Sequence, residues 1–281
     1  MSASSKHVDA VKTFLQTSKG FSSEETVKFY DTWASTYEQV SRWKHHQPLV
    51  TIRLSERQPT SRTRGLQEQT QSFNVHCYRW IEVSHLHKDI EKLSCQSNKL
   101  VVDCLQEYFS GIPEEVRVLD VACGSGWVAK LMAELGFKHF VGVDGSRGML
   151  EQAARSELYQ ELKLALLGTQ PLPAETGTFD VVILAGGFGE GFVPVSVVRE
   201  LCNAAKPGGW VCISRGAHSI TPSAYEKNLE RELKLLEEEG WWRLVGTKET
   251  NRYMEDPYVN PEKEEDRFIM GVAYMFRKCT Q

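Results

Sequence analysis

Two aspartates and two glycines, Asp120, Gly124, Gly126 and Asp144, are spaced as a nucleotide-binding set. Val118-Leu119-Asp120-Val121-Ala122 reads as a short buried strand, Gly124-Ser125-Gly126 as a sharp turn, and Trp127 to Leu135 as a helix. Glycine lets backbone come close to a ligand, and the first amides of the helix point outward at it. Lys138 to Asp144 gives a second strand, ending in a carboxylate twenty positions after Gly124. A carboxylate there can accept both hydroxyls of a ribose. The set specifies a nucleotide cofactor without choosing one, because Gly124-x-Gly126-x-x-Ala129 also satisfies the dinucleotide fingerprint.

Asp120 bears on that choice. A carboxylate just before the glycines opposes a pyrophosphate but suits a ligand that carries an ammonium group. Downstream, Phe179-Asp180-Val181-Val182-Ile183-Leu184 reads as a fourth strand, and Lys206-Pro207-Gly208-Gly209-Trp210 leads into a fifth. These motifs, with Asp120-Val-x-Cys-Gly-Ser-Gly126 and Val143-Asp-x-Ser146, resemble in order and spacing the class I methyltransferases that use S-adenosyl-L-methionine (SAM). Tyr30-Asp-Thr-Trp-Ala-Ser-Thr-Tyr37, Pro171-Leu-Pro173 and Leu235-Leu-Glu-Glu-Glu-Gly-Trp241 are similar, more closely, to a methyltransferase-like group from the Williams–Beuren syndrome region. That resemblance covers 1–39 and 99–281 and skips the middle.

The resemblance implies SAM as cofactor and methyl transfer as activity. Asp120 would face the methionyl ammonium, or else cap the amides of the turn. Ala122, Cys123, Gly124 and Gly126 would form the loop against the cofactor, with Cys123 a small packed residue beneath it rather than a nucleophile. Asp144 would hold the ribose, and Gly145, Ser146 and Met149 would follow it, Met149 either flanking the adenine or packing in the core. Leu167 and Gly168 offer the adenine edge only backbone, and Ala185 ends the fourth strand beside donor and acceptor. Phe29, Trp33 and Tyr37 share one helical face with Tyr30 beside it. They either pack the helix on the sheet or lid the cofactor, with Tyr30 and Tyr37 the hydroxyl-bearing candidates.

For the acceptor, absences inform. Nothing after the fourth strand reads Asn/Asp-Pro-Pro-aromatic, against amino methylation of adenine or glutamine, nor Pro-Cys, against a covalent cytosine mechanism. Phe188, Glu190, Arg215, His218 and Tyr225 remain as acceptor-side candidates. His218 is the one candidate base, or else a solvated loop histidine. The expected acceptor is a small molecule, with no separate substrate domain. Two other readings stay open: an NAD(P)-binding oxidoreductase, and a non-catalytic SAM-binding protein with a disrupted lid.

The elements that must position these residues alternate regularly. Helices are expected at 24–39, 100–110, 126–135, 146–157, near 172–175, 194–205 and 223–239, with a further helical stripe at 8–19. Strands are expected at 117–122, 139–143, 162–166, 179–185, 209–214, 241–246 and 268–276. This is an α/β fold, a doubly wound and mostly parallel seven-stranded sheet with an antiparallel final strand.

Composition bounds the rest. The 281 residues are 41% hydrophobic with net charge −4, enough for one core and no general case for nucleic acid. No apolar run reaches a membrane span, and the N-terminus lacks a signal-peptide core. Seven scattered cysteines favour reduced thiols, a cytoplasmic or nuclear setting, and no metal site. The stretch 40–98 differs in kind, being basic, aperiodic and rich in histidine. It reads as a poorly ordered segment of non-homologous origin, with a basic arm or an ordered insertion as the alternatives. The expected division is thus a helical lid segment at 1–39, this insertion at 40–98, and a SAM-binding domain at 99–281.

Overall fold

The computed structural model describes residues 22–41, 96–217, 222–256 and 268–280. The expected helix at 8–19, almost all of the basic stretch and His218 lie outside the described residues. The elements are α1 (Ser23–Ser41), α2 (Ser97–Tyr108), β1 (Arg117–Val121), α3 (Trp127–Glu134), β2 (His139–Asp144), α4 (Arg147–Ala154), β3 (Tyr159–Leu164), β4 (Phe179–Ala185), α5 (Val197–Ala204), β5 (Ala205–Ala217), α6 (Ala224–Glu238), β6 (Trp242–Glu255) and β7 (Phe268–Lys278).

The seven strands form one sheet in the order β3-β2-β1-β4-β5-β7-β6. Pairing is parallel from β3 to β5, while β7 runs antiparallel between β5 and β6. The order reverses between β1 and β4. In open α/β sheets that reversal opens a crevice beyond the carboxyl ends of the strands, where ligands bind. The glycine loop after β1 and the loop after β4 flank this crevice.

Alternation along β1 and β4 splits the core in two. Leu119, Val121, Val182 and Leu184 face α5 and α6, while Val118, Val181 and Ile183 face α2 and α3. Near-continuous burial of both faces marks a covered parallel sheet. On the first face Trp242 stacks on Phe276 at 4.2 Å and its Nε1–H donates to Leu233 O at 3.1 Å.

The motif residues Asp180 and Lys206 serve this architecture. Asp180 Oδ2 accepts the Arg117 N–H at 3.0 Å and Oδ1 pairs with Lys206 Nζ at 2.7 Å. Lys206-Pro-Gly-Gly209 is a bulge inside β5: Ala205 pairs with Phe179, and pairing resumes at Trp210 with Val181.

Three corrections bear on the site, while β5 and β6 run longer than expected. No helix forms near 172–175, because prolines flank Leu172 and its N–H is taken by the Glu200 carboxylate. α4 stops at Ala154 rather than 157, turned by Glu157 at φ +57°. β3 therefore runs from Tyr159 to Leu164 instead of 162–166, and Leu167 and Gly168 follow it in the loop. α6 matches its expectation, opening with a capping box between Ser223 and Glu226 and closing at Gly240, φ +77°.

Candidate functional site

The site is built where β1 ends. Asp120 is 1% exposed, a carboxylate almost wholly removed from water. Its Oδ2 accepts the Tyr159 hydroxyl at 2.6 Å, and its Oδ1 has no protein partner. Burial is the main cause that pushes this carboxyl up to about 7; the Tyr159 bond opposes it and the Asp144 charge adds to it. The capping role expected as an alternative is not seen, since Asp120 accepts instead from a side chain of β3. Ser125 Oγ, 3% exposed in the same loop, also lacks a partner.

The loop is left-handed at three points: Ala122 (φ +56°), Gly124 (φ +53°) and Gly126 (φ +84°). At Gly124 a Cβ would meet no protein atom within 4 Å, so its backbone faces open space. Ala122 holds a conformation that favours glycine. Ala122→Gly is therefore expected to raise unfolding free energy by about 0.5–1 kcal/mol, measurable by urea titration. Cys123 is buried, its thiol pushed well up by desolvation, in keeping with a packed residue.

Asp144, at the end of β2, is half-buried and ties two loops together. Oδ2 accepts the Gly124 N–H and Oδ1 the Ser146 N–H, both at 2.8 Å. Burial raises its carboxyl, and these backbone donors act against the shift. A carboxylate has about four lone-pair sites, so the two donors leave capacity for a ligand's hydroxyls. Ser146 caps α4 by accepting the Met149 N–H at 3.1 Å. Met149 itself is buried at 3% exposure.

A residue not anticipated from sequence, Asp31, joins this network from α1. Its Oδ1 accepts the Ser146 hydroxyl at 2.6 Å and the Gly148 N–H at 3.0 Å. α1 lies close enough that a Cβ on Gly148 would stand 2.9 Å from Ala34 Cβ, and one on Gly145 2.9 Å from Val27 Cγ2. At its other end Thr26 and Ser23 donate to the carbonyls of Gly191 and Phe192 at 2.6 and 2.8 Å. α1 thus spans the sheet's carboxyl edge, from the α4 N-terminus to the loop after β4. Tyr30 meets Phe192 edge-on at 6.4 Å. The side chain of Tyr37 lies outside the described residues.

The remaining candidates sit around the loop after β4. Ala185 is half-buried, and Gly186 follows at φ +66°. Leu167 packs in the core, leaving backbone to the site, and exposed Gly168 abuts Pro194. Phe188 is a core residue and Glu190 is exposed. Tyr225 donates its hydroxyl to Val193 O at 2.5 Å, and burial pushes its acidity away from neutral pH. Arg215, 4% exposed, donates to Glu230 at 2.6 Å and lies 3.6 Å from buried Glu226. A cavity of about 350 Å³ lined by Arg117, His139, Val141, Gln160 and Glu161 lies at the opposite, amino-terminal end of the strands, away from this chemistry.

Comparison with known proteins agrees with this geometry. Residues 118–209 match a family model described as a methyltransferase domain. The chain is 42% identical over 169 residues to human methyltransferase-like protein 27, covering 60% of this chain and 67% of that one. It is 31% identical over 138 residues to the 18S rRNA (guanine-N(7))-methyltransferase RID2 of Arabidopsis thaliana, covering 44% of this chain and 43% of the relative. The crystal structure of the [4+2]-cyclase SpnF superposes with a TM-score of 0.50 at 17% identity, over 66% of this chain and 81% of that one, a likeness of fold alone. Sequence and fold together place the chain in the family of SAM-dependent methyltransferases, with SAM as its cofactor.

Proposed function

We propose that the protein transfers the methyl group of SAM to a small-molecule acceptor held between the loop after β4 and α1. The observation that carries the cofactor site is the pair of partnerless buried oxygens, Asp120 Oδ1 and Ser125 Oγ, in a left-handed loop whose Gly124 faces open space. A buried polar atom without a partner is costly unless a ligand or water meets it. Asp120 and Ser125 would hold the methionyl end, Asp144 the ribose hydroxyls, and the backbone of Leu167 and Gly168 the adenine edge. Ala122, Cys123, Gly124 and Gly126 would shape the cradle, and Gly145, Ser146 and Met149 would support the adenine side.

Bound SAM supplies an activated methyl group with its own leaving group. The chain then has to orient the acceptor, exclude water and, for some acceptors, take a proton. Tyr30 with Phe192 would wall the acceptor side, and α1, held by Asp31, would close over it, with Tyr37 on the same helix. His218 would serve as the base where one is needed. Asp31→Ala is expected to speed amide exchange in the first half of α1 about fivefold, as loss of its hydrogen bonds to α4, together worth about 1 kcal/mol, implies. Unchanged exchange would remove Asp31 from the lid.

An RNA acceptor is the second reading, favoured by the Arabidopsis relative. Against it, acidic residues outnumber basic ones across the chain outside 40–99. Release of S-adenosylhomocysteine (SAH) from SAM separates the two. Turnover with small-metabolite extracts but not with total RNA is expected, and the reverse would replace the small-molecule reading.

A further inference from the structure

We propose that Tyr159 is a positioning residue for the cofactor: its hydroxyl fixes one oxygen of Asp120 and leaves the other to meet the cofactor's ammonium group. The inference rests on the SAM-site reading above and adds a residue from a different strand.

Four features support it. The hydroxyl donates to Asp120 Oδ2 at 2.6 Å, while Oδ1 of the same buried carboxylate has no partner. A carboxylate anchored through one oxygen presents the other in a fixed direction. Two backbone positions give way to the Tyr159 ring. A Cβ on Gly126 would stand 3.0 Å from Tyr159 Cε2, and one on Gly142 2.9 Å from Cε1. Gly126 belongs to the cofactor loop, so the same glycine shapes that loop and admits the ring. Phe140 packs edge-on against the ring at 6.0 Å, fixing it from a third side. Desolvation and the neighbouring Asp120 push the phenol far up, so it stays a donor across the physiological range.

The titratable groups facing Asp120 are Tyr159 from β3, Asp144 from the end of β2, and Cys123 from its own loop. Of these the Tyr159 bond is what favours the ionised carboxylate, with burial and Asp144 opposing it. An ammonium ligand prefers that ionised form, so cofactor affinity rises with pH until Asp120 has lost its proton.

The test is SAH binding by calorimetry between pH 5.5 and 8.5, for the native chain, Tyr159→Phe and Asp120→Asn. The phenylalanine keeps the ring and removes only the hydroxyl. For the native chain, affinity should rise with pH, reach half its limit near 7 and level off about one unit higher. For Tyr159→Phe the plateau should come about one pH unit later, with affinity several-fold lower at pH 7 and near native at 8.5. Asp120→Asn should bind weakly with no such rise. A Tyr159→Phe chain that weakens equally at every pH, or keeps the native plateau, would overturn the inference while native SAH binding leaves the cofactor reading standing. Carboxyl-carbon NMR titration of Asp120 reads the same shift without ligand, so a variant with poor affinity still decides the question. Absence of SAH binding by the folded native chain would overturn both.

Discussion

Replacing Asp144 with alanine is expected to weaken SAH binding at least tenfold, about 1.4 kcal/mol. Hydrogen bonds to a charged acceptor contribute about 1.5–3 kcal/mol each before desolvation, so losing the two proposed to ribose hydroxyls makes tenfold a lower bound. The structure adds a second loss. Asp144 also receives the N–H groups of Gly124 and Ser146, and so joins the glycine loop to the α4 N-terminus. The alanine chain should therefore also lose thermal stability in the absence of ligand. Asp144→Asn, which keeps an acceptor oxygen, should fall between native and alanine in both measurements. Unchanged affinity in the alanine chain would remove Asp144 from the cofactor site.

The second large effect concerns stability beside the loop after β4. Arg215→Ala is expected to destabilise the fold by about 3 kcal/mol, since it removes one member of a buried ion pair together with its packing. Arg215 is 4% exposed on β5, and the Glu226 it faces is 8% exposed at the start of α6. Glu226 already closes the capping box with Ser223, so its charge cannot relax outward without opening the helix. The neighbouring Tyr225 reaches Val193 in the loop after β4, so loosening α6 should also loosen that loop. Glu230→Gln provides the contrast. Its side chain is 53% exposed, and its loss should change stability by under about 1 kcal/mol. Equal, small effects of both substitutions in denaturant titrations would refute this account of the buried arginine.

The sequence made the parallel sheet legible because each strand of its core is a short apolar run with turn residues on both sides. Asp144 was legible for a similar reason, since strand, glycine turn and helix fix where the next carboxylate must fall. Tyr159 and Asp31 were not. Tyr159 acts across strands, and its importance appears only once Gly126 and Gly142 are seen to admit its ring. Asp31 sits in a run of aromatics that draws attention to itself, yet the acidic residue between them is what reaches Ser146 and Gly148. Tertiary pairing also decided the misplaced elements. Glu200, from α5, takes the Leu172 N–H, and the early start of β3 follows from the seat of Tyr159 against β2. The signal that could have found Tyr159 was an aromatic opening a strand beside two glycine-bearing neighbours.

The most direct test of the central claim is calorimetric titration of SAH into the full chain, with NAD titrated in parallel. Saturable binding of one SAH per chain, and none of NAD, is the predicted result. A folded chain that binds no SAH, or binds NAD in its place, would contradict a SAM site at Asp120, Gly124 and Asp144.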